Sequence, residues 1–236
     1  MGRLDVIAFD ADDTLWHNES IYHGVQERFK VLLAGYASPE TVDRHLFEKE
    51  MGNLALYGYG IKSFTLSMIE TAVDLSEGKI TGGEIKKIVD FAREMLANEI
   101  ELIEGVPEVV RALSETHPLM LLTKGDLLDQ EIKLARSGLG RYFRYFEVVS
   151  TKTRQTYQNL LEKYHLDSRR FLMIGNSLKS DVLPVVELGG YGVYIPYHIT
   201  WAHEAVEGHA ELGNSRLFEL ERVGQVPALL RELDAD

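Results

Sequence analysis

The stretch "VIAFDADDT" at residues 6–14 joins an apolar run directly to a cluster of acidic residues. The run at 6–9 is rich in β-branched and aromatic residues, which favour a β-strand. It is apolar on both faces, as expected for a strand of a parallel sheet that is covered by helices on each side. Three carboxylates follow within four positions, Asp10, Asp12 and Asp13.

Similar apolar runs recur along the rest of the chain and alternate with amphipathic segments. The runs lie at 119–123, 146–150, 171–175 and 191–197. The amphipathic segments lie at 106–116, 126–137, 153–165 and 180–188. Strands that alternate with helices predict an α/β fold, here a Rossmann-like doubly wound parallel sheet.

The interval 17–100 has no strand pattern and contains helical patterns instead. Apolar residues at helical spacing mark one face of its first segment, namely Ile21, Val25, Phe29 and Leu33. Ser38 before Pro39 predicts an N-cap and first turn, and "TGGE" at 81–84 has the spacing of a capping box. We therefore expect a catalytic core formed by 1–16 and 101–236, with 17–100 as an inserted α-helical cap domain.

Composition limits the classes of partner. The 236-residue chain has a net charge of −12, which disfavours nucleic acid because a phosphate backbone needs a basic face. No apolar run approaches the ~20 residues of a membrane span. The chain contains no cysteine, so thiol chemistry is excluded, and a cytoplasmic location is expected. A small anionic substrate stays possible, and the sequence leaves monomer and homodimer equally open.

Polar residues follow each of the first four predicted strands, where ligands bind in open α/β sheets. The clusters are Asp10, Asp12 and Thr14; Thr123, Lys124 and Gly125; Lys152; and Asn176 with Asp181. Each cluster alone has an ordinary interpretation as a capped turn or a solvated charge. Four of them at one edge of a sheet indicate a functional site.

The residue types suit phosphate and a hard cation. Asp10 and Asp12 would repel each other unless a cation or proton lies between them, and Mg²⁺ prefers oxygen ligands. Asn176 and Asp181 offer further oxygens. The Thr123 hydroxyl and the N–H groups of a glycine turn form a phosphate cradle, to which Lys152 would add a positive charge.

These motifs resemble those of the haloacid dehalogenase-like (HAD) hydrolase superfamily. Asp10, Asp12 and Thr14 match its DxDxT motif, and 123–143, "TKGDLLDQEIKLARSGLGRYF", is similar to its second-motif stretch. "GNSLKSD" at 175–181 is similar to its fourth motif, GDxxxxD, and the helical insertion stands where the family has its C1-type cap.

The resemblance implies specific roles. Asp10 would be the nucleophile that forms an aspartyl-phosphate, and Asp12 the general acid and base. The substrate phosphate would be bound by Thr123, Lys124, Gly125 and Lys152. Mg²⁺ would be held by Asp10, the Asp12 carbonyl, Asn176 and Asp181.

One departure from the family pattern concerns the metal. Asn176 stands where the family usually has an aspartate, so the site has one negative charge fewer and metal affinity is expected to fall. Asp13 stands where many relatives have glycine, and we assign it the shaping of the turn. Trp16, His17 and Asn18 follow the catalytic loop and are expected at the entrance of the site. His198 and His203 are interpreted as surface-loop residues, because Mg²⁺ does not favour imidazole.

The function expected from these roles is Mg²⁺-dependent hydrolysis of a small phosphorylated metabolite. A haloacid dehalogenase or a phosphomutase on the same fold is the alternative, although a dehalogenase does not need Asp12 as acid and base. A receiver domain is disfavoured because it is much shorter and lacks the insertion. A non-catalytic binding protein is disfavoured by the complete set of Asp10, Asp12, Thr123 and Lys152.

Overall fold

The computed structural model describes residues 4–199 and 215–235, and within them lies a six-stranded parallel sheet. The strands are β1 (Val6–Phe9), β2 (Leu119–Lys124), β3 (Phe143–Val149), β4 (Phe171–Gly175), β5 (Tyr191–Tyr194) and β6 (Leu217–Glu219). Their order is β3-β2-β1-β4-β5-β6. Because every pairing is parallel and helices alternate with the strands, the predicted doubly wound α/β fold is confirmed.

The helices alternate with the strands only after the first hundred residues. Four of them follow β1 in succession: α1 (Glu19–Leu32), α2 (Pro39–Tyr57), α3 (Ile61–Leu75) and α4 (Gly82–Ala97). The others are α5 (Val106–Ser114), α6 (Leu127–Ser137), α7 (Arg154–Lys163), α8 (Leu183–Val186) and α9 (Val226–Ala235).

Strand β1 lies inside the sheet and explains the apolar run that precedes the aspartates. Its Ile7 pairs with Leu119 of β2 on one side and Leu172 of β4 on the other. Alternate residues of a strand point to opposite faces. Ile7 and Phe9 pack in a core with α5 and α9, and Val6 and Ala8 pack in another with α7. Every position must therefore be apolar.

The position of β1 in the sheet also determines where a ligand-binding crevice is expected. The sheet order reverses beside it, since β2 and β3 lie on one side and β4 to β6 on the other. Such a reversal opens a crevice at the carboxyl ends of the adjacent strands, where ligands bind in folds of this class. The loops that follow β1 and β4 border that crevice.

The chain divides into two compact units. The first comprises the described parts of Met1–Glu19, Ile100–Lys124 and Ile132–Asp236, and it contains the sheet. The second comprises Ser20–Glu99 and Gly125–Glu131. The second unit has its own apolar core, formed by residues of α1, α2, α3 and α4.

Local signals in the second unit are confirmed. Val25, Phe29 and Leu33 form the buried face that the spacing predicts. The hydroxyl of Ser38 accepts a hydrogen bond from the amide of Thr41 at 3.3 Å, at the start of α2. Thr81 and Glu84 form the complete capping box at the start of α4.

Three features differ from the sequence prediction. β3 begins at Phe143, three residues earlier than expected, and β5 ends at Tyr194 rather than at 197. β6 was not predicted, because three partly buried residues that end in Glu219 give no strand pattern. Along the described chain, no helix combines the length and the apolar character needed to cross a bilayer.

Candidate active site

The predicted polar residues lie at the carboxyl ends of the strands. Asp10 directly follows β1, and its amide donates a hydrogen bond to the carbonyl of Ile174 in β4 at 2.8 Å. Thr123 is near the end of β2, Lys152 follows β3, and Asn176 directly follows β4. Since parallel strands end at one edge, the fold brings these segments together.

Lys152 joins two of the predicted carboxylates. Its ammonium group donates to Oδ1 of Asp10 and, at 2.7 Å, to Oδ1 of Asp181. The lysine side chain is 1% exposed, so this ion-paired group is closed to bulk water. Two buried carboxylates share a single lysine here, which leaves the three residues with one surplus negative charge.

Burial and the neighbouring charges shift the pKa values of this cluster. Burial raises the pKa of Asp10 to about 7, against the attraction of Lys152 and with the help of repulsion from Asp181. Burial also opposes the charge of Lys152, but its attraction to Asp10 and Asp181 outweighs burial and raises the pKa of the lysine. A bound cation near Asp10 would stabilise its ionised form.

Asp181 is held by the backbone of the loop after β4. Its Oδ2 accepts a hydrogen bond from the amide of Ser177 at 3.1 Å, while Oδ1 pairs with Lys152. A Cβ on Gly175 would overlap Oδ2 of Asp181, so only glycine leaves room for this carboxylate. Asp181 lies in a π-helical turn, Leu178–Val182, which precedes α8 where the sequence predicted one helix over 180–188.

Asp10 and Asn176 present oxygens that suit a hard cation. The hydroxyl of Thr14 lies 3.1 Å from Oδ2 of Asp10 and 3.2 Å from Oδ1 of Asn176. One hydroxyl proton cannot serve both oxygens at once. Both oxygens therefore lie within hydrogen-bonding distance of the same hydroxyl. Lys152 donates to the other oxygen of Asp10, Oδ1.

A cation bound by Asp10 and Asn176 would have few charged protein ligands. Within residues 4–199 and 215–235, no group of three or more His, Asp or Glu side chains is arranged to hold a metal ion. Mg²⁺ commonly uses one or two protein carboxylates together with carbonyl oxygens, water and substrate phosphate. The donor set of Asp10 and Asn176 fits that pattern.

Asp12 is more exposed to solvent than Asp10. Its side chain is 25% exposed. Oδ1 of Asp12 accepts hydrogen bonds from the indole Nε1 of Trp16 at 2.7 Å and from Nζ of Lys133 at 3.1 Å. Lys133 also donates to Oδ1 of Asn18 at 2.8 Å.

Asp13 shapes the turn, as the sequence indicated. Its φ of 62° is in the left-handed region, where glycine is usual. Its carboxylate accepts hydrogen bonds from the amides of Asn18, at 2.9 Å, and Glu19, at 3.1 Å, at the start of α1. Burial raises the pKa of Asp13 to about 6, in spite of these two hydrogen bonds.

The predicted phosphate-binding residues are divided between the two units. Thr123 is buried, and its hydroxyl donates to the carbonyl of Lys124 at 3.1 Å. The ammonium group of Lys124 donates to the hydroxyl of Ser180 at 3.1 Å. Gly125 has a φ of 122°, which a residue with a side chain adopts only with strain, and it belongs to the second unit.

Of the residues expected at the entrance of the site, Trp16 is fully buried, which contradicts the expectation for that residue, whereas His17 and Asn18 are partly exposed. Nδ1 of His17 and the hydroxyl of Tyr197 are 2.6 Å apart, and the rings of Tyr197 and His198 lie 4.2 Å apart. His198 therefore packs on an aromatic neighbour. The prediction for His203 falls outside the described residues.

Lys133 belongs to the second-motif stretch, but the sequence prediction assigned it no role. Lys133 is 8% exposed. Buried lysines are uncommon unless they are paired with an opposite charge. The signal was present, because Lys133 lies within the second-motif stretch, but only the fold shows that it reaches Asp12, 121 positions earlier in the chain.

Comparison with known proteins gives consistent results. A family model described as "Hydrolase: haloacid dehalogenase-like hydrolase" matches residues 4–189. The crystal structure of a haloacid dehalogenase-like family hydrolase from Xanthomonas campestris matches with 41% identity and a TM-score of 0.87, covering 99% of this chain and 93% of that one. A search of curated proteins found no match.

More distant structures share the fold. The HAD-hydrolase YfnB of Bacillus subtilis, bound to magnesium, matches with 15% identity and a TM-score of 0.67, covering 97% of this chain and 99% of that one. A 2-haloacid dehalogenase from Pseudomonas syringae pv. tomato DC3000 matches with 16% identity, a TM-score of 0.64 and the same coverage. Other matches are described as phosphatases. These likenesses show the architecture, which both activities use.

Proposed function

Because the chain belongs to the haloacid dehalogenase-like hydrolase family, we propose that it is a Mg²⁺-dependent phosphatase acting on a small phosphorylated metabolite in the cytoplasm. The observation that carries the proposal is the pair of aspartates with different surroundings. Asp10 is buried against Lys152, while Asp12 is partly exposed and held by N–H donors. A nucleophile and a separate acid–base group are what aspartyl-phosphate chemistry needs.

In the first step, a carboxylate oxygen of Asp10 attacks phosphorus and forms an acyl phosphate. The bond between phosphorus and the ester oxygen of the substrate breaks, and its electron pair stays on that oxygen. Asp12 gives its proton to the same oxygen, so the product leaves as a neutral alcohol.

In the second step, the Asp12 carboxylate takes a proton from a water molecule as the water oxygen attacks phosphorus. The bond between phosphorus and the Asp10 oxygen breaks, which releases inorganic phosphate and restores the Asp10 carboxylate. Asp12 is then protonated again and ready for the next substrate.

Binding of the transferred group is assigned to residues of three loops. Thr123, Lys124 and Gly125 bind phosphoryl oxygens through hydroxyl, ammonium and amide groups, and Lys152 adds a positive charge beside Asp10. We propose residues 17–100 as the cap domain that selects the substrate, with 1–16 and 101–236 as the catalytic core.

Four residues are proposed to hold the metal. They are Asp10, the carbonyl of Asp12, Asn176 and Asp181, with Asp181 either direct or through water. When bound, Mg²⁺ supplies the charge that lets the carboxylate and phosphate anions approach each other. A structural neighbour described as bound to magnesium supports this choice of ion.

A substrate screen tests the proposal. Purified protein with Mg²⁺ is assayed against a panel of phosphorylated metabolites and 4-nitrophenyl phosphate. We expect phosphate release that Asp10→Asn abolishes and that Asp12→Asn lowers by roughly 10² to 10⁴-fold, the usual contribution of general acid–base catalysis. Asp5→Asn, at a partly exposed position before β1 and outside the proposed cap, is the matched control and should retain full activity.

Two outcomes would contradict the proposal. Phosphate release that is unchanged in Asp10→Asn would exclude the aspartyl-phosphate route. Release of chloride from a 2-haloacid, without phosphatase activity on any substrate, would identify the protein as a dehalogenase instead.

A further inference from the structure

Asp12 is fixed on one side by two N–H donors from separate parts of the first unit. Trp16 lies four residues further along the same loop, and Lys133 lies in α6. Both donate to the same oxygen, Oδ1. The side chain of Trp16 is fully buried, so its indole cannot follow a rotating carboxylate.

The burial of Lys133 has a cost that its partners offset. An ammonium group taken out of water is strongly destabilising unless it is paired and hydrogen-bonded. Lys133 meets this need with the Asp12 carboxylate and with Oδ1 of Asn18, at 2.8 Å. The amide of Asn18 is in turn bound by Asp13. The lysine therefore connects the acid–base residue to the loop that starts α1.

The two donors define the role of one oxygen of Asp12. Oδ1 accepts from both Trp16 and Lys133, so it is held in place as a hydrogen-bond acceptor. Fixing Oδ1 gives Oδ2 a single orientation, which general acid catalysis requires.

We propose that Lys133, together with Trp16, is a positioning residue that orients Asp12 for proton transfer. This inference rests on the proposed phosphatase function and extends it to two residues to which the motifs assign no role. Lys133 acts through Asp12 and does not touch the substrate. A lysine that served only to stabilise the fold would affect every substrate alike.

The dependence of rate on the leaving group separates these roles. A leaving group of low basicity departs without a proton, whereas a basic one needs the acid. The parameter kcat/KM covers the reaction as far as the first irreversible step, so it reports proton donation and not the later attack of water. 4-Nitrophenyl phosphate and phenyl phosphate have similar size and differ in the basicity of the phenol.

The experiment measures kcat/KM for both esters with wild type, Lys133→Met and Trp16→Phe. We expect Lys133→Met to lower the value for phenyl phosphate by roughly tenfold or more and that for 4-nitrophenyl phosphate by less than about twofold. Trp16→Phe should act in the same direction. Lys163→Met, which removes an exposed ion-paired lysine on α7, should change neither value.

A double-mutant cycle provides the second measurement. If Lys133 acts through Asp12, adding Lys133→Met to Asp12→Asn should cause no further loss with phenyl phosphate. Equal losses with both esters in Lys133→Met, or additive losses in the cycle, would overturn the inference and leave the phosphatase function standing. Failure of wild type to hydrolyse either ester or any phosphorylated metabolite would overturn the proposed function, and the inference with it.

Discussion

The charges at the site are arranged so that each buried group depends on a neighbour. Lys152 neutralises Asp10 and Asp181 only in part, and Asp181 keeps its place because Gly175 has no side chain. Removing any one partner would leave a charge buried without compensation, which is strongly destabilising. The residues of this cluster are therefore expected to tolerate substitution poorly, even where they do not touch substrate.

Gly175→Ala tests this dependence. The new Cβ would overlap the Asp181 carboxylate, so the carboxylate must move and Lys152 loses a partner. We expect a loss of about 1–3 kcal/mol in the free energy of unfolding, the usual cost of overpacking, together with a fall in kcat. Urea denaturation and the phosphatase assay measure these effects. Unchanged stability would show that Asp181 has another position available.

Glu19→Gln tests a pH dependence. Burial, with repulsion from Asp13 and Asp12, raises the pKa of Glu19 from 4.5 to about 7. Between pH 4.5 and 7 the Glu19 carboxyl therefore keeps a proton in the folded protein that it releases in the unfolded chain, so the contribution of Glu19 to stability falls as the pH rises through this window. Each pKa unit corresponds to ~1.4 kcal/mol, reduced by partial exposure.

The variant lacks this group, and the measurement is urea denaturation at several pH values with EDTA present. We compare, for each protein, the free energy of unfolding at about pH 4 with that at about pH 8. The decrease should be smaller for Glu19→Gln than for wild type. Parallel stability profiles for the two proteins would contradict the assignment.

In helices α2 and α4, the N-caps and the apolar faces seen in the sequence agree with the observed packing. Ser38 and Thr81 cap their N-termini, and the buried faces supply Val42 and Leu46 from α2 and Ile88 from α4. One residue of α2 is locally unfavourable. Gly52 lies within the helix, where glycine costs backbone entropy, and no packing reason accounts for it because a Cβ at this position would have open space around it.

Gly52→Ala should therefore stabilise the protein by about 0.5–1 kcal/mol. Gly58→Ala is the matched control of opposite sign: its Cβ also has open space, but its φ of 70° is strained for alanine. Thermal unfolding of both variants measures the difference. A loss of stability in Gly52→Ala would show that α2 needs glycine for a reason other than packing within this chain.

At the scale of the molecule, the sheet collects residues that are distant in sequence at one edge. The carboxylate of Asp10 and the side-chain amide of Asn176 both lie within hydrogen-bonding distance of the Thr14 hydroxyl, although 166 positions separate the two residues in the sequence. A ligand that binds such a site binds only the folded chain, so it must raise the free energy of unfolding.

Mg²⁺ at about a hundred times its Kd should therefore stabilise the protein by about 2.7 kcal/mol, without any substrate. Asn176→Asp adds a negative charge, so its thermal shift at a given Mg²⁺ concentration should exceed that of wild type. Asp10→Asn should show a smaller shift. Equal shifts in wild type and Asn176→Asp would show that position 176 does not contact the ion.

Much of the fold was predictable because its signals are local. The apolar run before Asp10 predicted a buried strand, and the helix faces and caps in 17–100 predicted α1, α2 and α4. β6 was not predictable, because a three-residue edge strand is defined by pairing with β5 rather than by its own pattern.

The alternation of apolar runs with amphipathic segments by itself determined the α/β class. The polar residues that follow those runs determined the family and the candidate residues Asp10, Asp12, Thr123 and Lys152. Only the tertiary structure decided how they are paired: Lys152 with both Asp10 and Asp181, and Lys133 with Asp12. The physical reason is that a charge buried by packing must find its partner in space, and spacing along the sequence does not record which partners the packing brings within hydrogen-bond distance.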